Sequence, residues 1–181
     1  MRRGARLASR ETSDMWAHNS QGLAYVIYLV WLGFGCVDFA IHRRTALALT
    51  SGLRESALHG LQMLLVGAGV LLWAALDSSR AVAALLGCIA AAHAAAAYAD
   101  TVVAVQERRV TPLEQHVHSV LDIAPWTFVG YAAWTAEPTW TLTWKPQPLW
   151  VWVALVLPTL PTVLLPWMAE FRAAWLARHS D

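Results

Sequence analysis

The sequence predicts an all-α integral membrane bundle, and three observations carry that reading. Of 181 residues, 57% are hydrophobic and only 14% charged, against roughly a quarter charged in soluble domains. Apolar runs of about the 20 residues that cross a hydrocarbon core recur along the chain, separated by short polar connections. The ionisable residues within these runs fall at helical spacings, gathered towards one end of the runs.

Taken in order, residues 1–21 form a polar N-terminal segment with Arg2, Arg3, Arg6, Arg10, Glu11 and Asp14. It lacks the order of basic residues, short apolar region and small-residue site that marks a cleavable signal peptide. A single transmembrane domain follows over 22–172, with helices expected at about 22–42, 55–76, 81–106, 112–135 and 149–172. The first closes on His42-Arg43-Arg44, and Asp77-Ser78-Ser79-Arg80 turns the second into the third. Thr111-Pro112 with Glu114 starts the fourth, because proline is tolerated in a first helical turn. A tryptophan-rich loop then leads to the fifth, whose Pro158, Pro161 and Pro166 make it either a kinked span or a partly interfacial segment. Residues 173–181 form a C-terminal tail. The expected architecture is thus a four-helix transmembrane bundle carrying a site, plus a fifth Pro-rich hydrophobic helix.

A net charge of +1 with scattered arginines excludes a basic face for nucleic acid, so the bilayer is the expected macromolecular partner. Cys36 and Cys88 lie in apolar runs without CxxC spacing, which argues against a disulfide scaffold or a thiolate metal site and suggests small core residues. Neither a nucleophilic serine motif nor a phosphate-binding glycine loop is present. The connections 42–55 and 106–113 hold Arg43, Arg44, Arg54, Arg108 and Arg109, whereas the other two hold only Arg80 and Lys145. The positive-inside tendency places the arginine-bearing side in the cytoplasm, although the arginines of the N-terminal segment argue the other way. Trp73, Trp134, Trp140, Trp144, Trp150 and Trp152 gather at the opposite boundary, where indole anchors a span.

Because consecutive spans alternate in direction, the end of helix one, the start of two, the end of three and the start of four share one side. Helix one ends with Asp38 and His42, helix two opens with Glu55 and His59, helix three carries His93 and Asp100, and helix four opens with Glu114, His118 and Asp122. Ionisable groups inside a membrane are costly and turn towards partners, water or ions. Histidines and carboxylates converging from four helices have the ligand chemistry of a dinuclear metal centre. Imidazole with carboxylate suits zinc, iron or manganese, whereas magnesium and calcium take oxygen alone. Two divalent ions are therefore expected, with zinc, iron and manganese all compatible. Asp38, His59, His93, His118 and Asp122 are expected to touch them directly. His42, Glu55, Asp100 and Glu114 would divide between ligation and holding the imidazoles from behind. Plainer readings exist for single residues: His42 and Glu55 at helix ends fit an interfacial role, and Asp100 has Arg108 or Arg109 within reach. The same residues also suit a proton or ion pathway. Bis-histidine haem would leave the carboxylates unexplained.

The set Asp38-x3-His42, Glu55-x3-His59, His93-x6-Asp100 and Glu114-x-His116-x-His118-x3-Asp122 resembles an orphan group of small bacterial transmembrane bundles with a dinuclear zinc site. It is similar in general logic to the membrane-bound histidine-rich di-metal hydroxylases, whose clustered HxxxH and HxxHH boxes it lacks. The resemblance covers roughly residues 22–135. It implies two divalent ions, zinc before iron, in a bacterial inner membrane, where the arginine-bearing loops would put the metals towards the cytoplasmic side. Two functional classes follow: a membrane metalloenzyme, hydrolase or di-metal oxygenase, acting on a lipid-like substrate; or a transporter or sensor that binds the ion reversibly.

Overall fold

The computed structural model describes the backbone of residues 2–179 and the side chains of residues 22–179. Its helices are α1 (Arg2–Arg44), α2 (Gly52–Ala75), α3 (Arg80–Glu107), α4 (Pro112–Thr135), α5 (Leu149–Val156) and α6 (Leu165–Arg178). A short 3-10 turn at Leu47–Leu49 leads towards α2, and a π turn at Leu160–Leu164 joins α5 to α6. The expected all-α membrane bundle is what forms. Four helices among the described residues are long and apolar enough to cross a bilayer: Gly22–Arg44, Gly52–Ala75, Arg80–Glu107 and Leu149–Arg178. Side chains such as Leu64, Ile123 and Leu157 are more than half exposed on the outer faces, a surface suited to lipid. α1 already begins at Arg2, so the polar segment expected ahead of the first span shares its helical backbone.

Local chemistry fixes the helix ends. At α4, Thr111 Oγ1 accepts from the Glu114 N–H at 3.2 Å and the Glu114 carboxylate accepts in return from the Thr111 N–H at 3.4 Å, a capping box with Pro112 in the first turn. At α3, Ser79 Oγ accepts from the Val82 N–H at 3.2 Å and donates to the Thr141 carbonyl at 2.6 Å. The tryptophan-rich loop closes this end of the bundle: the Lys145 and Gln147 N–H groups donate to the Ala75 and Ala74 carbonyls, which α2 leaves open at its C-terminus. Beneath it, Val82, Leu86 and Ala132 pack with Trp73, Leu76, Phe128 and Val129 into an apolar plug. Cys88, expected in the core, is exposed on the outer face of α3, while Cys36 is half-buried.

Around the bundle, α1 packs on α4, α4 on α3, α3 on α2, α2 on α6 and α6 back on α1. The fifth segment therefore closes the ring between α1 and α2. Its prolines bend it without ending it. Pro166 has no N–H to offer the Thr162 carbonyl four residues earlier, and Cys36 Sγ on α1 donates to that oxygen at 3.1 Å instead. The π turn and this substitute bond carry the chain on into α6, whose last turns arrive at the polar end of the bundle.

Candidate metal centre

Helix direction assembles the centre. The C-terminal turns of α1 and α3, the first turns of α2 and α4, and the second half of α6 all meet at one end. Asp38, His42, Glu55, His59, Asp100, Glu114 and Glu170 are buried there, and His118 is half-buried. Three groupings place one donor atom from each member within 4.8 Å of one another: Asp38, His42 and His59; His42, Glu114 and His118; Glu55, His59 and Asp100.

Two imidazoles form the middle of this cluster. The His42 and His59 rings are stacked, with centroids 4.7 Å apart and planes 1° from parallel. Glu170 on α6 holds both from behind, His42 Nδ1 standing 3.0 Å from Oε2 and His59 Nδ1 2.9 Å from Oε1. Phe39 meets both rings edge-on, with centroids 6.2 and 6.1 Å away, and wedges them against rotation. Each Nε2 is buried and without a hydrogen-bond partner, as are Asp38 Oδ1 and Asp100 Oδ1. Around His42 Nε2 lie Glu114 Oε1 at 3.5 Å, Asp38 Oδ1 at 3.6 Å and Glu55 Oε1 at 3.9 Å. Around His59 Nε2 lies Asp100 Oδ2 at 3.1 Å. Asp38 Oδ1 is also 3.0 Å from His118 Nε2, which sets this carboxylate between the α1 and α4 histidines. Buried polar atoms of native proteins are nearly always hydrogen-bonded, so imidazole nitrogens and carboxylate oxygens held in close ion-pair contact without a hydrogen bond fit a bound cation.

Arg108, just beyond the end of α3, is the cation that closes the rim. Its Nε donates to Glu55 Oε2 at 3.0 Å, and its Nη2 contacts both Glu55 and Glu114. Ser51 Oγ adds a further contact to Glu55. Burial pulls the guanidinium pKa down, but the hydrogen bonds to Glu55 and Glu114 outweigh it and hold the pKa above its ordinary value. Arg108 thus pairs with Glu55 and Glu114, not with Asp100, whose partners are His59 and the Gln62 amide at 3.2 Å. On the membrane side of the ligands lies a small cavity of about 30 Å³, lined by residues that include Asp38, His59, Gln62, Asp100, His118 and Asp122. That is room for a water-sized occupant.

The structure brings together Asp38, His42, Glu55, His59, Asp100, Glu114 and His118. It does not bring in His93, which is buried with Nδ1 unpartnered and, among the described residues, joins none of the three groupings. Seven residues from Asp100, it lies about 10 Å further along α3, two turns too deep. Asp122 lines the cavity one turn below His118 without joining a grouping. His116 is exposed.

Glu170 is the residue that sequence reasoning missed. Its signal was available: a carboxylate within the apolar run 149–172, at the end where the other ionisable groups cluster, is as costly as Asp38 or Asp100. The contacts that bring it into the cluster cross 128 residues to His42 and 111 to His59, and helical spacing carries no trace of them.

Comparison with known proteins identifies no relative: no family model, curated sequence or solved structure matches this chain.

Proposed function

We propose that this integral membrane protein holds a dinuclear centre of divalent ions, zinc before iron, between α1, α2, α3 and α4. The observation that carries the reading is the His42–His59 pair. Both Nδ1 atoms face one carboxylate, so both Nε2 lone pairs point the same way from parallel rings 4.7 Å apart. Nε2 lone pairs that run side by side favour a separate ion for each ring, and ring separation of this order suits two ions about 3.5–4 Å apart. His42, Glu114 and His118 would serve one position and His59 with Asp100 the other. Asp38, whose Oδ1 lies near both His42 Nε2 and His118 Nε2, would be shared between them. Charge supports the same count: Asp38, Glu55, Asp100, Glu114, Asp122 and Glu170 against Arg108 leave five negative charges, of which two divalent ions cancel four. Imidazole with carboxylate suits zinc or iron, and the resemblance noted above favours zinc.

Such a pair supplies Lewis acidity and activates water or, with iron, oxygen. The small cavity against His59, Asp100 and His118 leaves a water-sized place beside the ligands, with Asp122 on its wall to take or return a proton. On this reading the protein is a membrane metalloenzyme, a hydrolase or hydroxylase of a lipid-like substrate. The positive-inside tendency of the arginine-bearing connections supports a cytoplasmic side for the centre, and the resemblance supports a bacterial inner membrane.

Metal analysis of protein purified without added metal, with an optical spectrum, tests this reading. Two zinc ions per chain and no visible bands are expected. Iron with a charge-transfer band would move the proposal to oxygen chemistry. A Soret band, or no metal after loading with zinc, would overturn it. A cysteine at exposed Thr50 should resist an impermeant thiol reagent applied from outside, and one at exposed Thr141 should react, in protein with Cys36 and Cys88 replaced. The reverse labelling would place the centre on the outer side.

A further inference from the structure

We infer that Glu170 sets how many ions the centre holds, by forcing His42 and His59 into the same tautomer. The inference rests on the dinuclear reading and adds a residue from the fifth membrane segment to it, as a positioning group that touches no ion. Its basis is a geometry the donors impose. An ionised carboxylate has acceptors only, and each of its two oxygens faces one imidazole Nδ1, at 3.0 Å for His42 and 2.9 Å for His59. Both Nδ1 atoms must therefore carry their protons, and neutral imidazole then has its lone pair at Nε2 on both rings. Both Nε2 atoms are buried and make no hydrogen bond, facing instead the carboxylates of Asp38, Glu55 and Glu114 for His42 and of Asp100 for His59.

The arrangement is rigid in the direction that matters. Glu170 is itself buried, and its helix is tied to α2 one turn earlier, where Trp167 Nε1 donates to the Ser56 carbonyl at 2.8 Å. With the rings stacked at 1° and Phe39 against both, neither imidazole can turn over to present Nδ1 to the ions without breaking its bond to Glu170 and leaving a carboxylate oxygen unpaired. One side chain thus determines two ligands at once.

An amide in place of the carboxylate exposes the device. Glutamine offers one acceptor and one donor, so its carbonyl can still take a proton from one Nδ1 while its NH2 requires a lone pair on the other. The second imidazole must then carry its proton at Nε2, where it can no longer bind an ion. Alanine imposes nothing on either ring. The two substitutions therefore differ in kind, which loss of packing alone would not produce.

The experiment is zinc titration of detergent-purified protein, read as stoichiometry and affinity, for the wild type, Glu170→Gln and Glu170→Ala. The wild type should bind two zinc ions. Glu170→Gln should keep one near wild-type affinity and weaken the other about 10- to 100-fold, the usual scale for losing a group that orients a ligand. Glu170→Ala should weaken both alike. Two zinc ions held by Glu170→Gln as in the wild type, or indistinguishable behaviour of the two variants, would overturn the inference while leaving the dinuclear centre intact. A wild type that binds no zinc would overturn the metal reading and this inference with it. Should either variant fail to fold, nitrogen NMR of histidine in the zinc-loaded wild type decides the matter. His42 and His59 should both be protonated at Nδ1 and coordinated at Nε2, and the opposite tautomer at either would refute the role of Glu170.

Discussion

Gly60 on α2 lies so close to Trp167 on α6 that a Cβ added to it would stand 2.7 Å from the indole ring. Nothing larger than hydrogen fits between these helices at that point, and the same tryptophan is pinned by its bond to the Ser56 carbonyl. Glu170 follows Trp167 by three residues, on the same face of α6. The approach of Glu170 to the two imidazoles thus depends on the close contact of α6 with α2 at Gly60, the residue after His59 in the chain.

Gly60→Ala is expected to destabilise the protein by about 1–3 kcal/mol through overpacking. Helix propensity alone would favour alanine by about 0.8–1 kcal/mol, so a net loss isolates the steric effect. As the substitution pushes α6 away from α2, zinc affinity should fall as well. Thermal unfolding in detergent and zinc titration check both, and a variant that is as stable and binds as tightly as the wild type would show that α6 is not held here.

Arg108 stands between two buried carboxylates and has a buried Nη1 with no partner. Removing one member of a buried charge cluster leaves the others uncompensated, at a cost of about 3–5 kcal/mol. Arg108→Gln should therefore lower the unfolding temperature of the metal-free protein sharply. In the zinc-loaded protein the loss should be smaller, because the ions themselves neutralise Glu114 and its neighbours. Equal losses with and without zinc would mean that Arg108 and the ions do not share those carboxylates.

How far the site was legible follows from what helical spacing can carry. Asp38 with His42, Glu55 with His59, and Glu114 with His118 repeat at four residues, one helical turn, so each pair had to share a face, and alternation of spans put the pairs at one end. That inference needed no tertiary information. His93 lay beyond its reach, because seven residues also preserve a face but shift depth by about 10 Å, and spacing alone does not say at which depth the donors meet. Glu170 was hidden for a different reason. The prolines of its segment suggested an irregular or interfacial element, while the repair of the Thr162 carbonyl by Cys36, which keeps the segment continuous, is a contact between distant residues. The start of α4 at Thr111-Pro112 with Glu114 was legible because its parts lie within one turn.

These placements rank the histidines. His118 Nε2 lies 3.0 Å from Asp38 Oδ1 within the cluster, whereas His93 stands apart from it. His118→Ala should lower zinc content after dialysis far more than His93→Ala, with Glu114→Gln between them because Arg108 still holds that side chain. Loss of zinc from His93→Ala as severe as from His118→Ala would show that the ions sit deeper in the bundle than the groupings place them.

Metal removal addresses why the five-membered ring of helices stays closed. Lipid supplies no hydrophobic drive for helix association, and polar contacts between membrane helices are worth only about 0.6–2 kcal/mol each. In the polar half the ring is instead lined by carboxylates on α1, α2, α3, α4 and α6, with Arg108 as the cation at its rim. Without ions these groups repel or take up protons; with them, the helices are cross-linked and binding free energy becomes folding free energy. A strong chelator should therefore lower the unfolding temperature. The sign of its pH dependence follows from the ligands: imidazole must be neutral to bind, and free histidine titrates near about 6.5, so protons displace the ions as pH falls through that range. The stability removed by chelation should be largest above about pH 7 and shrink on acidification, because acid strips the ions unaided and also neutralises the carboxylates. An unfolding temperature that does not move after verified metal removal at pH 8 would show that the ions do not hold the ring together, and would favour the same residues acting as a proton pathway.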